Sequence, residues 1–521
     1  MRQRLLELTL LLAALVAGYQ LRLVDLELYR MSPDEGNYLY SAGVDHLAQE
    51  ADLGAGLEAD LQWLFPRYYP HSYLHQLAIR WSWRLGANAI TSVRIDSALL
   101  GLLTSLFVYL FARRILSRKS WAAAFAGGVV ALQCLHIWYS RTGWGATGCT
   151  AFFALYLGLG YELVRRERRL GQDLLIGVAM GVASLLAFGW HEMIVVHVGG
   201  MGLFILLHHV WGGPGFRGSG IGALAKTLPR SGKAWAALVS ALPITVLFSY
   251  LLTSSFARQH WINFEESQRP GVLTILRHMF VQEDLHYQFA WPVLLLAGYG
   301  YLQLRKTDRL ASRYLMTALL TSSLIFLVFF KDAYLVRIYL PTAVVIAVLA
   351  GNGLGALVER VGERWRTVVG AGATLLLFAW MGAVSFRTIH DWTEGDELFF
   401  EPRFHHLDGF PFVDGRDVHA ETFATLRERL RPKEVVGVDA LEKSGNRAAG
   451  EFSILFRLRD AGFRSQPFAY DAPPAKWPRF LMGVKVGMKQ RGHSVEGGGR
   501  YREIGADKFG RIALYELESQ Q

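Results

Sequence analysis

The sequence predicts a polytopic α-helical membrane protein of about eleven transmembrane helices with a C-terminal soluble α/β domain. Three observations predict it. The 521 residues are 52% apolar and 19% charged, where a soluble chain runs nearer about 25% charged. The apolar residues fall in blocks close to the roughly 20 residues that cross a bilayer. Lys and Arg cluster in every second loop between those blocks. The same composition excludes a disordered chain, which is poor in apolar residues. Two cysteines, Cys134 and Cys149, exclude a disulfide-rich scaffold.

The spans fall near 5–24, 94–112, 120–139, 147–164, 174–190, 193–210, 234–256, 290–304, 314–330, 335–357 and 367–386. Arg2 and Arg4 precede the first. Its apolar run is long and no small-residue cleavage site follows, so it reads as a span and not a leader.

With the N-terminus inside, the inner loops hold Arg113, Arg114, Arg118 and Lys119, then Arg165, Arg166, Arg168 and Arg169. Next come Arg217, Lys226, Arg230 and Lys233, then Arg305, Lys306, Arg309 and Arg313, and last Arg360, Arg364 and Arg366. The short loops between are poor in both residues. This is the positive-inside pattern, and a wrong span count would scramble it. The net charge of +10 then belongs mainly to the cytoplasmic face. Anionic headgroups account for it without nucleic acid. The chain divides into a transmembrane domain, 1–389, with a long external first loop at 25–93, and an extracytoplasmic α/β domain, 390–521. A multi-pass protein of the cytoplasmic (inner) membrane is expected.

The first loop opens with the acids Asp25, Glu27, Asp34 and Glu35. Ser72–Leu85 reads as an amphipathic helix with Leu74, Leu77, Ala78, Trp81 and Leu85 on one face, suited to a membrane interface or to packing on the bundle. In the C-terminal domain, helices are expected at Glu421–Arg431 and at Phe452–Arg459, the latter ended by Gly462. Strands are expected at Glu434–Asp439 and Phe480–Val486, and a hairpin over Tyr501–Glu516 turning near Lys508–Gly510. Alternating helix and strand imply a layered sheet. There is no repeat of 20–50 residues and no phosphate-cradling glycine loop.

Several residues offer chemistry. In Ser32-Pro33-Asp34-Glu35-Gly36, two adjacent acids outside the first span can act as base and partner, or as base and metal ligand. The same string also reads as a helix start, with Ser32 as cap and Pro33 in the first position. His71, in Tyr68-Tyr69-Pro70-His71-Ser72-Tyr73, can touch a ligand or cap the helix behind it. Arg141, alone in a short external loop, suits a phosphate or a lipid headgroup. Trp190-His191-Glu192 sits in a tight turn between spans. Lys331, Asp332 and Arg337 flank the tenth span beside Tyr334 and Tyr339, which suits an anionic group or snorkelling. A charged residue within a span carries a functional presumption, and Arg337 is the best case. His405-His406 with Asp408, Asp414 and His419 matches no strong metal pattern. Cys134 and Cys149 flank one external turn at similar depth, where an oxidising exterior could join them; two buried thiols are the favoured expectation.

Four segments carry a family resemblance. They are Ser32-Pro33-Asp34-Glu35-Gly36-Asn37-Tyr38; Tyr69-Pro70-His71-Ser72-Tyr73-Leu74; Val93-Arg94-Ile95-Asp96-Ser97-Ala98-Leu99-Leu100-Gly101 running to Ala112-Arg113-Arg114; and Arg337-Ile338-Tyr339-Leu340-Pro341. In that order the chain resembles the polyprenyl-phosphate-dependent glycosyltransferases with the membrane-embedded C-type fold. Among them are glycosyltransferase family 39, the protein O-mannosyltransferases and the lipid A aminoarabinose transferases. The likeness covers roughly the first 210 residues and then 320–360, and no family motif is found in the C-terminal domain.

The resemblance implies that Asp34 is the general base towards an acceptor hydroxyl and Glu35 its partner. It implies a donor-phosphate ligand at Arg337, a basic position near Arg141 and a loop-helix start at His71. From their own places beside the spans, Lys331 joins the expected phosphate ligands, and Tyr69, His191 and Tyr339 join His71 as expected substrate contacts. Two departures stand out. The loop reads Pro-His-Ser where the family often has His-Pro-Pro. Gly143-Trp144-Gly145-Ala146-Thr147 follows Arg141 where relatives often carry a second Arg and an acid.

The implied reaction is inverting transfer of a sugar from a polyprenyl phosphate in the outer leaflet to a lipid, glycan or protein acceptor. No cofactor is required by these residues, although a divalent metal is compatible with them. Two other readings remain open: a lipid-linked saccharide transporter or flippase, which predicts mid-span charges and broken helices, and a non-catalytic membrane protein presenting an external binding domain.

Overall fold

The computed structural model describes residues 2–24, 26, 35–36, 38–39, 42, 73–116, 120–143, 145–191, 193–212, 231–253, 291–329, 340–394, 420–438, 452–468, 477–484, 500–506 and 512–518. The chain separates into two units. One comprises Met1–Val24, Tyr69–His75 and Ser97–Ile389; the other comprises Asp25–Tyr68, Gln76–Asp96 and His390–Gln521.

The first unit is helical. Its elements are α1 (Arg2–Leu23), the first turn of α2 (Tyr73–Arg84), most of α3 (Ala89–Ile115), α4 (Ser120–Leu132), α5 (Cys134–Arg141), α6 (Ala146–Arg165), α7 (Leu170–Trp190), α8 (Ile194–Gly212), α9 (Gly232–Thr253), α10 (Trp291–Thr307), α11 (Arg309–Phe329), α12 (Leu340–Glu359) and α13 (Glu363–Glu394). A helix lies over each expected span. Among the described residues, six of them, or seven if α4 and α5 form one bent span, are long and apolar enough to cross a bilayer by length and composition. The chain is thus a multi-pass membrane protein. Helices are the structure such runs must adopt, because lipid offers no partner to an open backbone N–H or C=O.

Close helix approach comes from small residues. In α10 and α12, a Cβ on Gly300 would collide with the Leu349 carbonyl, and one on Gly353 with the Leu296 carbonyl. Asn352 Nδ2 donates to Gly300 O (2.7 Å) across the same crossing. Lipid gives no hydrophobic drive between helices, so backbone proximity and such bonds hold them. α12 is buried over nearly all its length, while α1 leaves Leu5, Leu8, Leu12 and Val16 uncovered.

Ion pairs gather the basic loops. Glu7 of α1 pairs with Arg113 at the end of α3 (3.4 Å), and Glu162 of α6 pairs with Arg114 (3.2 Å) and Arg168 (2.9 Å). Tyr161 donates to Asp308 between α10 and α11 (3.1 Å), and Lys233 of α9 meets Glu167 (2.7 Å). Four of the loops expected to share a membrane face are therefore tied together at one end of the helices.

The second unit contains α14 (Ala420–Arg429), β1 (Val436–Val438), α15 (Phe452–Asp460), β2 (Ser465–Pro467), β3 (Phe480–Val484), β4 (Arg500–Ala506) and β5 (Ile512–Glu518). The sheet order is β2-β1-β3-β5-β4. β1 is parallel to β2 and β3, and the other pairs are antiparallel. α15 ends as expected at Gly462 (φ +87°). Phe463 N–H reaches back to Leu458 O (2.9 Å), the closing bond of a Schellman cap. Strand β2 was not expected. The turn expected at Lys508–Gly510 lies outside the described residues.

Strand alternation gives the sheet two apolar faces. Leu481, Ala513, Tyr515 and Tyr501 pack with Phe468 and Trp477 on one. Phe480, Met482, Leu514, Val436 and Val438 line the other. That second face shares one core with Phe423 and Leu426 of α14 and with Leu455, Leu458 and Phe463. It also shares it with Tyr38, Leu39 and Ala42 of the first loop, Ile79 of α2, and Ala89, Ile90 and Val93 of α3.

A buried acid–arginine clamp as candidate functional site

α3 starts where Asn88 Oδ1 accepts the Thr91 N–H (2.8 Å), a side-chain cap on an otherwise unpaired first-turn donor. Ala89, Ile90 and Val93 go into the core, and Arg94 follows them fully buried. A guanidinium at 0% exposure needs a charge partner and hydrogen bonds. Glu35, also at 0%, supplies both. Arg94 Nε donates to Oε1 (2.5 Å) and Nη2 to Oε2 (3.0 Å), a fork-to-fork geometry that fixes orientation as well as charge. Arg94 Nη1 donates to Leu26 O (2.8 Å).

One side chain thus joins Leu26 to Glu35, which bracket Ser32-Pro33-Asp34 in the chain. Beyond Glu35, Ala42 N–H donates to Tyr38 O (2.8 Å), and Ala42 O accepts from Arg80 Nη1 of α2 (2.7 Å). Arg94 and Arg80 were given no role from the sequence. Arg94 had one usable signal, a cation just inside an apolar helix, which needs an acid.

A second buried arginine lies in the helical unit. α4 and α5 meet at Gln133 with a bend of 50°. The break frees carbonyls of the last turn of α4. Arg22 of α1 takes two of them, donating to Ala131 O and Val130 O (3.1 Å). It also donates to Gly18 O (3.2 Å) and Ser140 Oγ (3.3 Å) and meets His136 Nδ1 (3.1 Å). Gly101 of α3 makes room: a Cβ there would strike Ser140 Oγ and lie 2.8 Å from Arg22 Nε.

Of the expected site residues, three are described. Glu35 lies in the clamp. Arg141 is almost fully buried, and its Nη1 donates to Leu21 O and Val24 O (2.8 Å each), two carbonyls at the C-terminal end of α1. His191 follows α7, and its Nδ1 accepts the Met193 N–H (3.3 Å). The structure brings Glu35 to Arg94, a residue not on the expected list. Asp34, Tyr69, His71, Lys331, Arg337 and Tyr339 lie outside the described residues, as do Glu192 and the His405-His406 cluster. Among the described residues no group of three His, Cys, Asp or Glu could hold a metal ion. Cys134 and Cys149 are both buried thiols.

The expected amphipathic helix is present as α2. Its more polar side, His75, Gln76 and Arg80 with Ile79, is buried. Trp81 and Leu85, on the expected apolar face, are 51% and 88% exposed.

The fold and these sites define a multi-pass helical membrane protein that carries a small sheet domain and a buried Glu35–Arg94 pair. Residues 70–214 match the family model for dolichyl-phosphate-mannose-protein mannosyltransferases, as the resemblance in the sequence implies. The fold is similar to that of ArnT from Cupriavidus metallidurans. The apo form aligns at TM-score 0.59 and 15% identity over 98% of this chain and 97% of that one. The form bound to undecaprenyl phosphate aligns at TM-score 0.59 and 14% identity with the same coverage. The apo oligosaccharyltransferase of Archaeoglobus fulgidus aligns at TM-score 0.50 and 12% identity, over 99% of this chain and 74% of that one. No curated protein sequence matches significantly.

Proposed function

We propose that this protein is an inverting glycosyltransferase that moves a sugar from a polyprenyl-phosphate donor to an acceptor hydroxyl on the outer face of the membrane. The observation that supports it most is the alignment, nearly end to end in both chains, with ArnT bound to undecaprenyl phosphate. The match of residues 70–214 to a mannosyltransferase family that uses a lipid-phosphate sugar points the same way.

In this reading Asp34 takes the proton of the acceptor hydroxyl as its oxygen bonds to the anomeric carbon. The bond from that carbon to the phosphate oxygen breaks on the opposite face, and the lipid phosphate leaves with the electron pair. Arg337 and Lys331 stabilise that anion, and Arg141 adds positive charge from its place at the end of α1. Tyr69, His71, His191 and Tyr339 line the substrate path. Glu35 does not move a proton. Its charge is held by Arg94, and it serves to fix the residue before it. The basic loops face the cytoplasm, which puts the acid motif and the sheet domain outside.

The test is sugar release from labelled polyprenyl-phosphate hexoses and pentoses, comparing wild type with Asp34→Asn, both checked for folding. Turnover by wild type alone supports the reading. Equal turnover by both moves the base elsewhere. No turnover with any donor favours another function.

One observation favours the transporter reading: the bent α4–α5 pair with Arg22 at its break, a feature of alternating-access proteins. The donors of Arg22 are engaged by helix carbonyls and Ser140, which pins the bend in one geometry. A flippase would move the lipid-linked sugar across vesicles without releasing it.

A further inference from the structure

We infer that the C-terminal sheet domain is a positioning domain for the acid motif, acting through α3 and the Arg94–Glu35 clamp. The inference rests on the reading of Asp34 as the base, and it assigns the domain a part in the reaction that its own sequence does not suggest.

Three observations carry it. The first is the shared core. Leu426, Leu455 and Leu458, each at 0% exposure, lie in one apolar cluster with Leu39 and Ala42 just beyond Glu35, and with Ile90 and Val93 just before Arg94. The clamp is therefore flanked along the chain, on the Glu35 side and on the Arg94 side, by residues of a core completed by the distant C-terminal segment. The second is polar. Asp460, at the end of α15, accepts the Ala89 N–H at the start of α3 (3.4 Å). An acid there satisfies a first-turn donor and favours the positive helix end, five residues ahead of Arg94. The third is the sheet's asymmetry. Among the described residues, one of its two apolar faces belongs to this core, while the Leu481, Tyr501 and Tyr515 face packs in a separate cluster.

A bidentate pair is useful to chemistry only if its two backbones are held at fixed separation, since a displacement of about 1 Å at a reacting group can lower a rate about 100-fold. Here the two backbones are 59 positions apart. The apolar layer that spans them is built by α14, α15 and the sheet. Leu426, Leu458 and Asp460 are in this sense positioning residues.

The asymmetry provides the test in the full-length protein. Leu426→Ala and Leu481→Ala each remove a fully buried leucine, one from the core on each side of the sheet. Hydrogen exchange of peptides covering residues 35–42 and 89–94 is compared with turnover of the donor that wild type consumes. Leu426→Ala is expected to speed exchange in both peptides about tenfold, as local opening becomes cheaper. It should lower kcat about tenfold with donor KM changed less than twofold. Leu481→Ala should lower the unfolding midpoint of the domain and leave both readouts within twofold of wild type. Asp460 is exposed, so Asp460→Ala will fold. It should raise exchange at 89–94 a few-fold, and Asp460→Asn, which keeps an acceptor, should restore it.

Equal effects of Leu426→Ala and Leu481→Ala, or faster exchange at 35–42 with unchanged kcat, would overturn the inference. So would unchanged exchange in both Leu426→Ala and Asp460→Ala. If wild type consumes no donor, the glycosyltransferase reading fails. Exchange then decides by itself whether the sheet domain holds the clamp.

Discussion

Replacing Arg94 by alanine would leave the Glu35 carboxylate in a position of 0% exposure without the two guanidinium donors now at 2.5 and 3.0 Å. It would also remove the 2.8 Å donor from Leu26 O. Breaking a buried pair from one side costs about 3–5 kcal/mol, because the remaining carboxylate stays desolvated and loses its two guanidinium donors. Arg94→Lys keeps the charge but replaces a planar fork by a point donor, so it should lose about half of that. The double variant Glu35→Leu/Arg94→Leu removes both charges and should lie within about 1–2 kcal/mol of wild type. Unfolding of the detergent-solubilised protein, followed by tryptophan fluorescence with donor turnover measured in parallel, separates stability from function. The expected pattern is a large loss of stability in Arg94→Ala and recovery in the double variant, with turnover absent from both. A single variant as stable as wild type would refute the burial argument. A double variant that recovers turnover as well would refute any role for the pair in the reaction.

Gly353→Ala should destabilise the α10–α12 crossing by about 1–3 kcal/mol through overpacking, because its Cβ meets the Leu296 carbonyl. Gly372→Ala, where a Cβ meets nothing within 4 Å, serves as the control in the same unfolding assay. Gly101→Ala should displace Ser140 and Arg22 from the α4–α5 break and lower the unfolding midpoint by more than Gly372→Ala, and Gly101→Ala/Ser140→Gly should recover part of the loss. Maleimide should label Cys134 and Cys149 only in denaturant, and a reductant should leave the unfolding midpoint unchanged, since both are buried thiols.

Much of the fold is legible because periodicity and charge speak locally. Apolar runs mark the helices under each expected span, and Gly462 marks the end of α15 because only a residue at ease with positive φ closes that cap. What was not legible is non-local. β2 is Ser465-Gln466-Pro467, which has little strand propensity. It tolerates Pro467 because it is the edge strand, a position known only once the sheet is assembled. The break at Gln133 has no proline, and the donors that satisfy it come from Arg22, 108 and 109 positions away. Arg141 is a lone cation in a short loop, and its sequence neighbours do not reveal that its Nη1 donates to Leu21 O and Val24 O, about 120 positions away. Glu35 was recognised beside Asp34, but the partner that holds its charge could not be read from composition, since it lies in another helix.

The shared core also sets an order on biogenesis. Ala89 and Asp460 are 371 positions apart, so a ribosome making about 5–20 residues per second takes on the order of 20–75 s to travel between them. For that time Tyr38, Leu39, Ile90 and Val93 lack the apolar layer they finally share. A nascent chain therefore passes through an interval in which its first loop is translated but its core is incomplete, and any stall before β5 leaves the clamp without its sheet. Quality control that samples exposed apolar surface would read the integrity of the last strand at the very front of the protein.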